Sequence, residues 1–384
     1  SDAVAVAISD RYTNEEAYTI KKMAKAIGAK TLCFNNRASG IAPVLGQNAS
    51  PNTINELLST EVILVVGFDT VLNPVIQLKI RQAAKNGAKV VLINPVEYEQ
   101  HGFDFAEKVL YTENNTDILK EIAKALLDMG KNSKLDGFDA FAADLKNVKV
   151  SEEAASIAAL YGSAKKAMIV FQQNLVTTEA AALIADLALL SGHIGTPRDG
   201  ILQIKAKNNS QGLVDLGIKA GAEALEGVKA LLIFGEDPKA DLSGIEFLMV
   251  SDIYMTPTAA KADVIIPGTG FTSVDGTFTN TERRLMPVAA TAFEGVELTN
   301  WEIAAEIAHV YEVEFGFDDT VDISTEMEDV LPKYKYAEVG EVFGGVLEPV
   351  DPKFVVVQDA AFADLLPCTD DLMNIISERL PKPV

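Results

Sequence analysis

The stretch AVAVAISDRYTNEEAYTIKKMAKAIGAKTLCF, residues 3–34, decides the fold class. Its first apolar run, Ala3–Ser9, is typical of a short buried strand, and Thr13 with acidic residues in the following turn is typical of a helix start. The helical pattern ends at Gly28, and Lys30–Phe34 predicts a second strand. A strand, a helix and a strand in this order form a βαβ unit, which requires parallel strands and a right-handed crossover.

The same alternation recurs along most of the chain. Further strands are predicted at Val62–Val66, Lys89–Ile93, Val109–Tyr111, Ala167–Phe171, Ala230–Phe234, Phe247–Ser251 and Val264–Ile266, and helices at Val75–Asn86, Asp117–Met129, Glu152–Tyr161 and Glu179–Leu190. The strands are continuous apolar runs, as expected when helices cover both faces of a sheet. The pattern therefore predicts an α/β fold with doubly wound, mostly parallel sheets.

The composition limits the classes of partner. Of the 384 residues 48% are apolar and 23% charged, which is ordinary for a folded globular chain. The apolar runs fall short of the roughly 20 residues that a membrane helix needs, so we expect no direct membrane insertion. A net charge of -22 repels phosphate backbones, so we expect no nucleic-acid partner. The acidic surface fits either simple solubility or docking on basic partner proteins.

Cysteine and histidine are too sparse for the common metal sites. Cys33 and Cys368 lie far apart and there are three histidines, so neither a four-cysteine iron–sulfur cluster nor a tetrahedral zinc site is expected from this chain alone. The low cysteine count fits a reducing, cytoplasmic compartment. Dinucleotide, P-loop and GxSxG motifs are absent from the sequence. Cys33 ends a predicted strand, where a small buried residue is commoner than a reactive thiol.

Polar residues follow several predicted strands, where ligands bind in open α/β sheets. The turns in question are Asp10–Asn14, Gly67–Asp69, Asn94-Pro95, Gly235–Pro238, Asp252 and Pro267–Thr269, and their acids suit ribose hydroxyls or guanine N–H groups. The competing interpretation is that they are turn and cap residues. Two polar blocks stand out, Lys205–Gly212, whose lysines could hold phosphates, and the turn-prone Asp275–Arg284; the alternative for both is a solvated loop.

Six segments together resemble the molybdopterin oxidoreductase family, to which formate dehydrogenases and the large iron–sulfur (G) subunit of NADH:quinone oxidoreductase (complex I) belong. The resemblance covers about residues 3–312 in family order and spacing. The segments are Val6–Tyr18, Thr60–Ile76, Lys207–Gly217, Gly235–Pro238, Ser251–Pro267 and Asp275–Arg284.

The resemblance implies two α/β lobes, one inserted in the other. Residues 1–34 plus 206–312 would form the first lobe, 35–205 the inserted lobe, and 313–384 an acidic C-terminal tail or the remnant of a closing domain. In the family a molybdopterin guanine dinucleotide carrying Mo or W lies between the lobes. The implied cofactor-binding residues are Asn208, Gln211, Gly235, Glu236, Asp237, Pro238 and Asp252. The tail itself is either a docking surface or a frayed terminus.

The sequence departs from catalytic family members at the metal. Either Cys33 or Ser39 falls near the position of the metal-binding residue, no histidine follows, and Lys205 replaces the family's active-site arginine. Lysine cannot reproduce a bidentate guanidinium fork.

These departures lead to a first hypothesis of a complex I G-subunit domain with a degenerate molybdenum site. It predicts no cofactor in this chain and iron–sulfur clusters only in flanking domains. It also predicts partner subunits of a membrane-associated electron-transfer complex, and a cytoplasmic location peripheral to the inner face of the membrane.

The alternative is a catalytic molybdenum or tungsten oxidoreductase of the formate dehydrogenase type. Cys33 or Ser39 would then bind the metal, and Lys205 would hold an anionic substrate. A third hypothesis is a protein whose cleft is without the pterin cofactor but still binds a nucleotide, through Gly235–Pro238, Asp252 and Asn208–Gln211.

Overall fold

A computed structural model describes residues 3–34, 40–96, 102–220, 225–292, 295–331, 333–335 and 337–357. The strands are β1 (Val4–Ile8), β2 (Lys30–Cys33), β3 (Val62–Val66), β4 (Lys89–Pro95), β5 (Lys108–Thr112), β6 (Ala167–Gln172), β7 (Gly200–Ile204), β8 (Lys219–Ala220), β9 (Ala230–Phe234), β10 (Phe247–Asp252), β11 (Val264–Pro267), β12 (Gly276–Thr279) and β13 (Leu285–Val288). The α-helices are α1 (Asn14–Ala26), α2 (Ile41–Leu45), α3 (Pro74–Lys85), α4 (Asn115–Asp128), α5 (Phe138–Asp144), α6 (Glu152–Ser163), α7 (Thr178–Ser191), α8 (Ser210–Asp215), α9 (Asn300–Val310) and α10 (Thr320–Val330).

Eleven of these strands form two parallel sheets. The larger sheet has the order β11-β10-β9-β1-β2-β8, and the second has the order β5-β4-β3-β6-β7. Each neighbouring pair in both sheets is parallel, so the prediction of an α/β fold with parallel sheets is confirmed. The larger sheet combines β1 and β2 with strands after residue 218. The lobe boundaries at residues 34 and 205 stay a prediction.

The β1–α1 connection forms as its sequence predicts. The Thr13 hydroxyl accepts a hydrogen bond from the Glu16 amide at 3.1 Å, and the Glu16 carboxylate accepts one from the Thr13 amide at 2.7 Å. This capping box satisfies amides that a helix start otherwise leaves unpaired. It also holds Glu16 beside the carboxyl end of β1, where the candidate site lies.

The second sheet is buried on both faces, which explains its continuous apolar strands. Leu64 and Val66 of β3 pack in one core together with α2, α4, α6 and α7. Ile63 and Val65 point into the opposite core with Ile76 and Ile80 of α3.

Part of the described tail packs against the rest of the chain. Phe354 is 3% exposed and its ring contacts Phe138 and Phe141, with ring centroids 5.3 and 5.0 Å apart. The amides of Val350 and Lys353 donate to the carbonyls of Leu45 and Val44 at 2.9 and 3.0 Å. A frayed terminus is therefore the wrong description of this part of the tail.

In the portion of the chain that is described, no helix is both long and apolar enough to cross a membrane.

Candidate functional site

A cavity of about 470 Å³ lies where β1, β9 and β10 of the larger sheet end. This volume is in the range of small-molecule sites. The lining residues are Ser9, Arg11, Tyr12, Glu16, Asn208, Gly235, Asp237, Asp252, Ile253, Tyr254, Thr256, Thr269, Gly270, Phe271 and Phe278. Because the carboxyl ends of parallel strands meet at one edge, the loops after three strands converge here, as the rule for open α/β sheets predicts.

The turn after β9 requires glycine. Gly235 has φ +71°, and a Cβ atom at this position would lie 2.6 Å from Cε1 of Tyr12. The Gly235 amide donates to the Ser251 carbonyl at 2.8 Å, which joins this turn to β10. The chain can therefore pass directly over the Tyr12 ring only without a side chain.

Carboxylates dominate the polar lining of the cavity. Burial raises the pKa of Asp252, whose Oδ1 accepts from the Tyr254 amide at 3.2 Å. Asp237 Oδ1 accepts from the Thr258 amide at 3.1 Å and from the Thr258 hydroxyl at 2.5 Å. Burial also raises the pKa of Glu16. With Arg11 as the cation in the lining, the cavity presents mainly acceptors and suits a ligand rich in N–H or O–H donors.

One lining hydroxyl lacks a partner among the described residues. Thr269 is 4% exposed, and its Oγ1 makes no hydrogen bond there, although its amide donates to Asn300 Oδ1 at 3.0 Å. A buried unpaired hydroxyl costs about 1–3 kcal/mol. A polar ligand in the cavity would remove that cost, so this end of the site fits a nucleoside-like group.

The predicted cofactor-binding residues divide between the cavity and its surroundings. Asn208, Gly235, Asp237 and Asp252 line the cavity, whereas Gln211, Glu236 and Pro238 do not.

The three residues outside the lining have other surroundings. Gln211 donates to the Asn48 carbonyl at 3.2 Å and to Asp215 at 3.1 Å. Glu236 is 1% exposed, and burial, with the neighbouring charge of Asp10, raises its pKa to about 8. Pro238 lines a separate surface cleft.

Lys205 lies in a buried polar network outside the cavity lining. It is 5% exposed, and Nζ donates to Asn48 Oδ1 at 2.9 Å. Burial lowers its pKa to about 8, against the opposing effect of the Asp215 and Asp10 carboxylates. Its ammonium group therefore has protein partners already, which does not favour the role of holding an anionic substrate.

Of the two candidate metal ligands, the structure describes only Cys33. Cys33 is fully buried in an apolar core with Val6, Ile8 and Leu232. Ser39 lies outside the described residues. Across the described ranges, no group of three or more His, Cys, Asp or Glu side chains could hold a metal ion.

The two polar blocks are built into the fold rather than exposed as phosphate loops. The Lys207 amide donates to Ser210 Oγ at 2.9 Å, inside its own turn. Arg283 is 2% exposed and its guanidinium donates to backbone carbonyls. A solvated loop is therefore the wrong description of Arg283, because its donors are buried against main-chain oxygens.

The sequence signals for the lining residues differ in strength. Tyr12 and Thr269 belong to turns that follow predicted strands, and Tyr254 and Phe278 lie within the segments that carry the family resemblance without being singled out individually. Phe271 carries no sequence signal for ligand binding, since folding alone brings it to the cavity.

The two parallel sheets, and the cavity at the strand ends of the larger one, define a doubly wound α/β protein with a small-molecule cleft. A family model described as molybdopterin oxidoreductase matches residues 1–310, and the chain belongs to this family.

Curated relatives include formate dehydrogenases. The chain is 27% identical over 412 residues to the F420-dependent formate dehydrogenase 2 subunit alpha of Methanococcus maripaludis, covering 87% of this chain and 61% of the relative. It is 26% identical over 428 residues to formate dehydrogenase H of Escherichia coli, covering 89% of this chain and 59% of the relative. The chain thus spans about three fifths of the length of these relatives.

A solved structure shares the fold. Acetylene hydratase from Pelobacter acetylenicus superposes with a TM-score of 0.65 at 14% identity, over 84% of this chain and 57% of that one.

Proposed function

We propose that this chain is the nucleotide-binding α/β part of a molybdenum or tungsten oxidoreductase of the formate dehydrogenase type. Family membership and the formate dehydrogenases among its relatives support this proposal over a complex I G subunit. The observation that carries it is the cavity beside Gly235, because its acceptors and its buried Thr269 hydroxyl match the guanosine end of a pterin guanine dinucleotide.

The chemistry of the lining residues assigns roles toward such a nucleotide. The Asp252 and Asp237 carboxylates would accept hydrogen bonds from guanine N–H groups or ribose hydroxyls. Arg11 would offset the charge of the phosphates. Ile253, Phe271 and Phe278 would exclude water from the base. The bound metal–pterin group would supply two-electron exchange with a small substrate.

A scaffold without metal chemistry is the second candidate. The positions of Cys33 and Lys205 favour it, since one is buried in an apolar core and the other is bonded to Asn48. In that case the cleft would still bind a nucleotide, but the polypeptide would serve to support neighbouring electron-transfer domains.

Nucleotide binding is tested by thermal shift with GDP and ADP. We expect GDP to stabilise the chain saturably, by about 2.7 kcal/mol at one hundred times its Kd, and ADP to act more weakly. Asp252→Ala should weaken GDP binding about tenfold or more, because it removes a hydrogen bond from a charged acceptor. Asp241→Ala, an exposed site outside this cavity, is the matched control. No stabilisation at millimolar GDP would refute the nucleotide site.

Metal content separates the two candidates. Elemental mass spectrometry of the full-length polypeptide from its own host should find about one Mo or W per chain if it is an oxidoreductase of this type. Iron without either metal would support the scaffold instead.

A further inference from the structure

A second, outward-facing apolar surface lies at the start of α3. Val71, Leu72, Val75 and Leu78 are 84%, 63%, 63% and 61% exposed. They follow the carboxyl end of β3: Val71 and Leu72 lie in the turn before α3, and Val75 and Leu78, three positions apart, lie on one face of its first turn. We name these four side chains the α3 apolar face.

This face is additional to the core face of the same helix. Ile76, Ile80 and Ala83 are buried against the second sheet, so α3 does not need the exposed residues for packing. The loop before the helix is held in place, since Asp69 Oδ1 accepts from the Val71 amide at 2.8 Å. Contiguous exposed aliphatic side chains on a fixed backbone mark an interaction surface.

The charges on α3 indicate the chemistry of the partner. Its sequence, PVIQLKIRQAAK, contains Lys79, Arg81 and Lys85 and no acidic residue. The whole chain, by contrast, has a net charge of -22. A surface with apolar side chains bordered by carboxylates would complement this helix. A second copy that met this helix face to face would set the three cations against one another, and an anionic bilayer would extend beyond the helix to the negatively charged remainder of the protein.

We propose that the α3 apolar face docks a different polypeptide, which presents apolar side chains bordered by Asp or Glu. This surface lies outside the lining of the nucleotide cavity. The inference is therefore independent of whether the chain binds a pterin or a metal.

Site-specific photo-crosslinking of the full-length polypeptide in its own host tests the proposal. A benzophenone amino acid is placed at Val75 or Leu78, and at Val321, a 67% exposed site on α10, as a control. We expect crosslinks from Val75 and Leu78 to a peptide of another polypeptide that contains apolar and acidic residues, and few from Val321. Equal crosslinking of the same polypeptide from Val321, crosslinks to a second copy or to lipid, or none at all would overturn it.

A second test measures how much of the crosslinked polypeptide co-purifies when a charge is introduced into the α3 apolar face. Leu78→Asp should reduce its co-purification about tenfold or more, because a central apolar contact is replaced by a like charge. Val321→Asp, at a 67% exposed site on α10, is the matched control and should leave co-purification unchanged. Unchanged co-purification with Leu78→Asp, in a variant with the melting temperature of the wild type, would contradict the docking surface.

Discussion

Arg283 Nε donates a 3.0 Å hydrogen bond to the carbonyl oxygen of Ser50. The same guanidinium donates to the carbonyls of Phe343 at 2.6 Å, Gly345 at 2.7 Å and Pro51 at 3.3 Å. One buried side chain thus joins three stretches of chain: the β12–β13 turn, the segment after α2, and the tail. The tail is held to two segments distant in sequence by a donor set that only arginine offers.

We expect Arg283→Ala to lower the free energy of unfolding by about 3 kcal/mol, because several buried carbonyls lose their donor. Arg283→Lys should recover only part of this loss, since an ammonium cannot span the same carbonyls. Urea unfolding measures both. Arg81→Ala, whose side chain is 43% exposed, is the control and should cost less than about 0.5 kcal/mol. Equal stability of Arg283→Ala and wild type would refute the clamp.

The turn over Tyr12 should not tolerate a side chain. We expect Gly235→Ala to destabilise the protein by about 1–3 kcal/mol and to abolish GDP-induced stabilisation, because the methyl group meets the Tyr12 ring. Gly244→Ala is the matched control, since nothing lies within 4 Å of its added Cβ. Thermal shift with and without GDP measures both effects, and normal GDP binding by Gly235→Ala would place the ligand elsewhere.

Asp186 should make stability depend on pH. Burial raises its pKa to about 8, offset in part by the backbone amide of Val355 in the tail. The folded state therefore holds a proton that the unfolded state releases near pH 4, so this residue makes stability fall as the pH rises from about 4 to about 8.

Replacing that carboxyl should remove this dependence. We expect Asp186→Asn to be about 1–3 kcal/mol more stable than wild type at pH 8 and nearly equal to it at pH 4. Asp139→Asn, at an exposed site on α5, should change neither value. Denaturant unfolding at the two pH values measures the free energies of unfolding. If the stability of Asp186→Asn and of the wild type changed with pH in parallel, the buried carboxyl would not hold the extra proton.

Cys33 should behave as a core residue. We expect Cys33→Ala to leave the Mo or W content of the full-length polypeptide unchanged, because the thiol lies in an apolar cluster. Cys33→Asp should destabilise the fold by several kcal/mol, since it buries a charge. Ser39→Ala in the same polypeptide is the informative comparison for metal content. Loss of metal in Cys33→Ala, with the wild-type melting temperature, would make Cys33 a ligand.

Much of the larger architecture was predictable because it depends on local patterns. The β1–α1–β2 unit follows from an apolar run, a capping box at Thr13 and a glycine stop at Gly28. Short elements held by distant contacts were not predictable. The sequence of β12 lies in the polar block Asp275–Arg284, and neither β12 nor β13 is predicted as a strand, because the hairpin depends on contacts such as Asn14 with Thr277 and Thr279.

The candidate site was predictable only in part, for a related reason. Gly235, Asp237 and Asp252 follow strands, and position after a strand can be read from sequence. The residue types of Lys205 and Arg283 are compatible with anion binding, but sequence alone does not show what they contact. Their actual partners, Asn48 and the Ser50 carbonyl, lie more than 150 residues away along the chain.

The sequence by itself determined the fold class and the strand ends at which a ligand would bind, because hydrophobic periodicity and turn chemistry act between near neighbours. Its resemblance to known motif segments indicated the family. Only the tertiary structure decided which polar groups face the cavity and which are hydrogen-bonded to other parts of the chain. The difference depends on burial and on hydrogen bonds between distant segments. The Thr269 hydroxyl has no hydrogen-bond partner among the described residues, whereas the Arg283 guanidinium donates to backbone carbonyls.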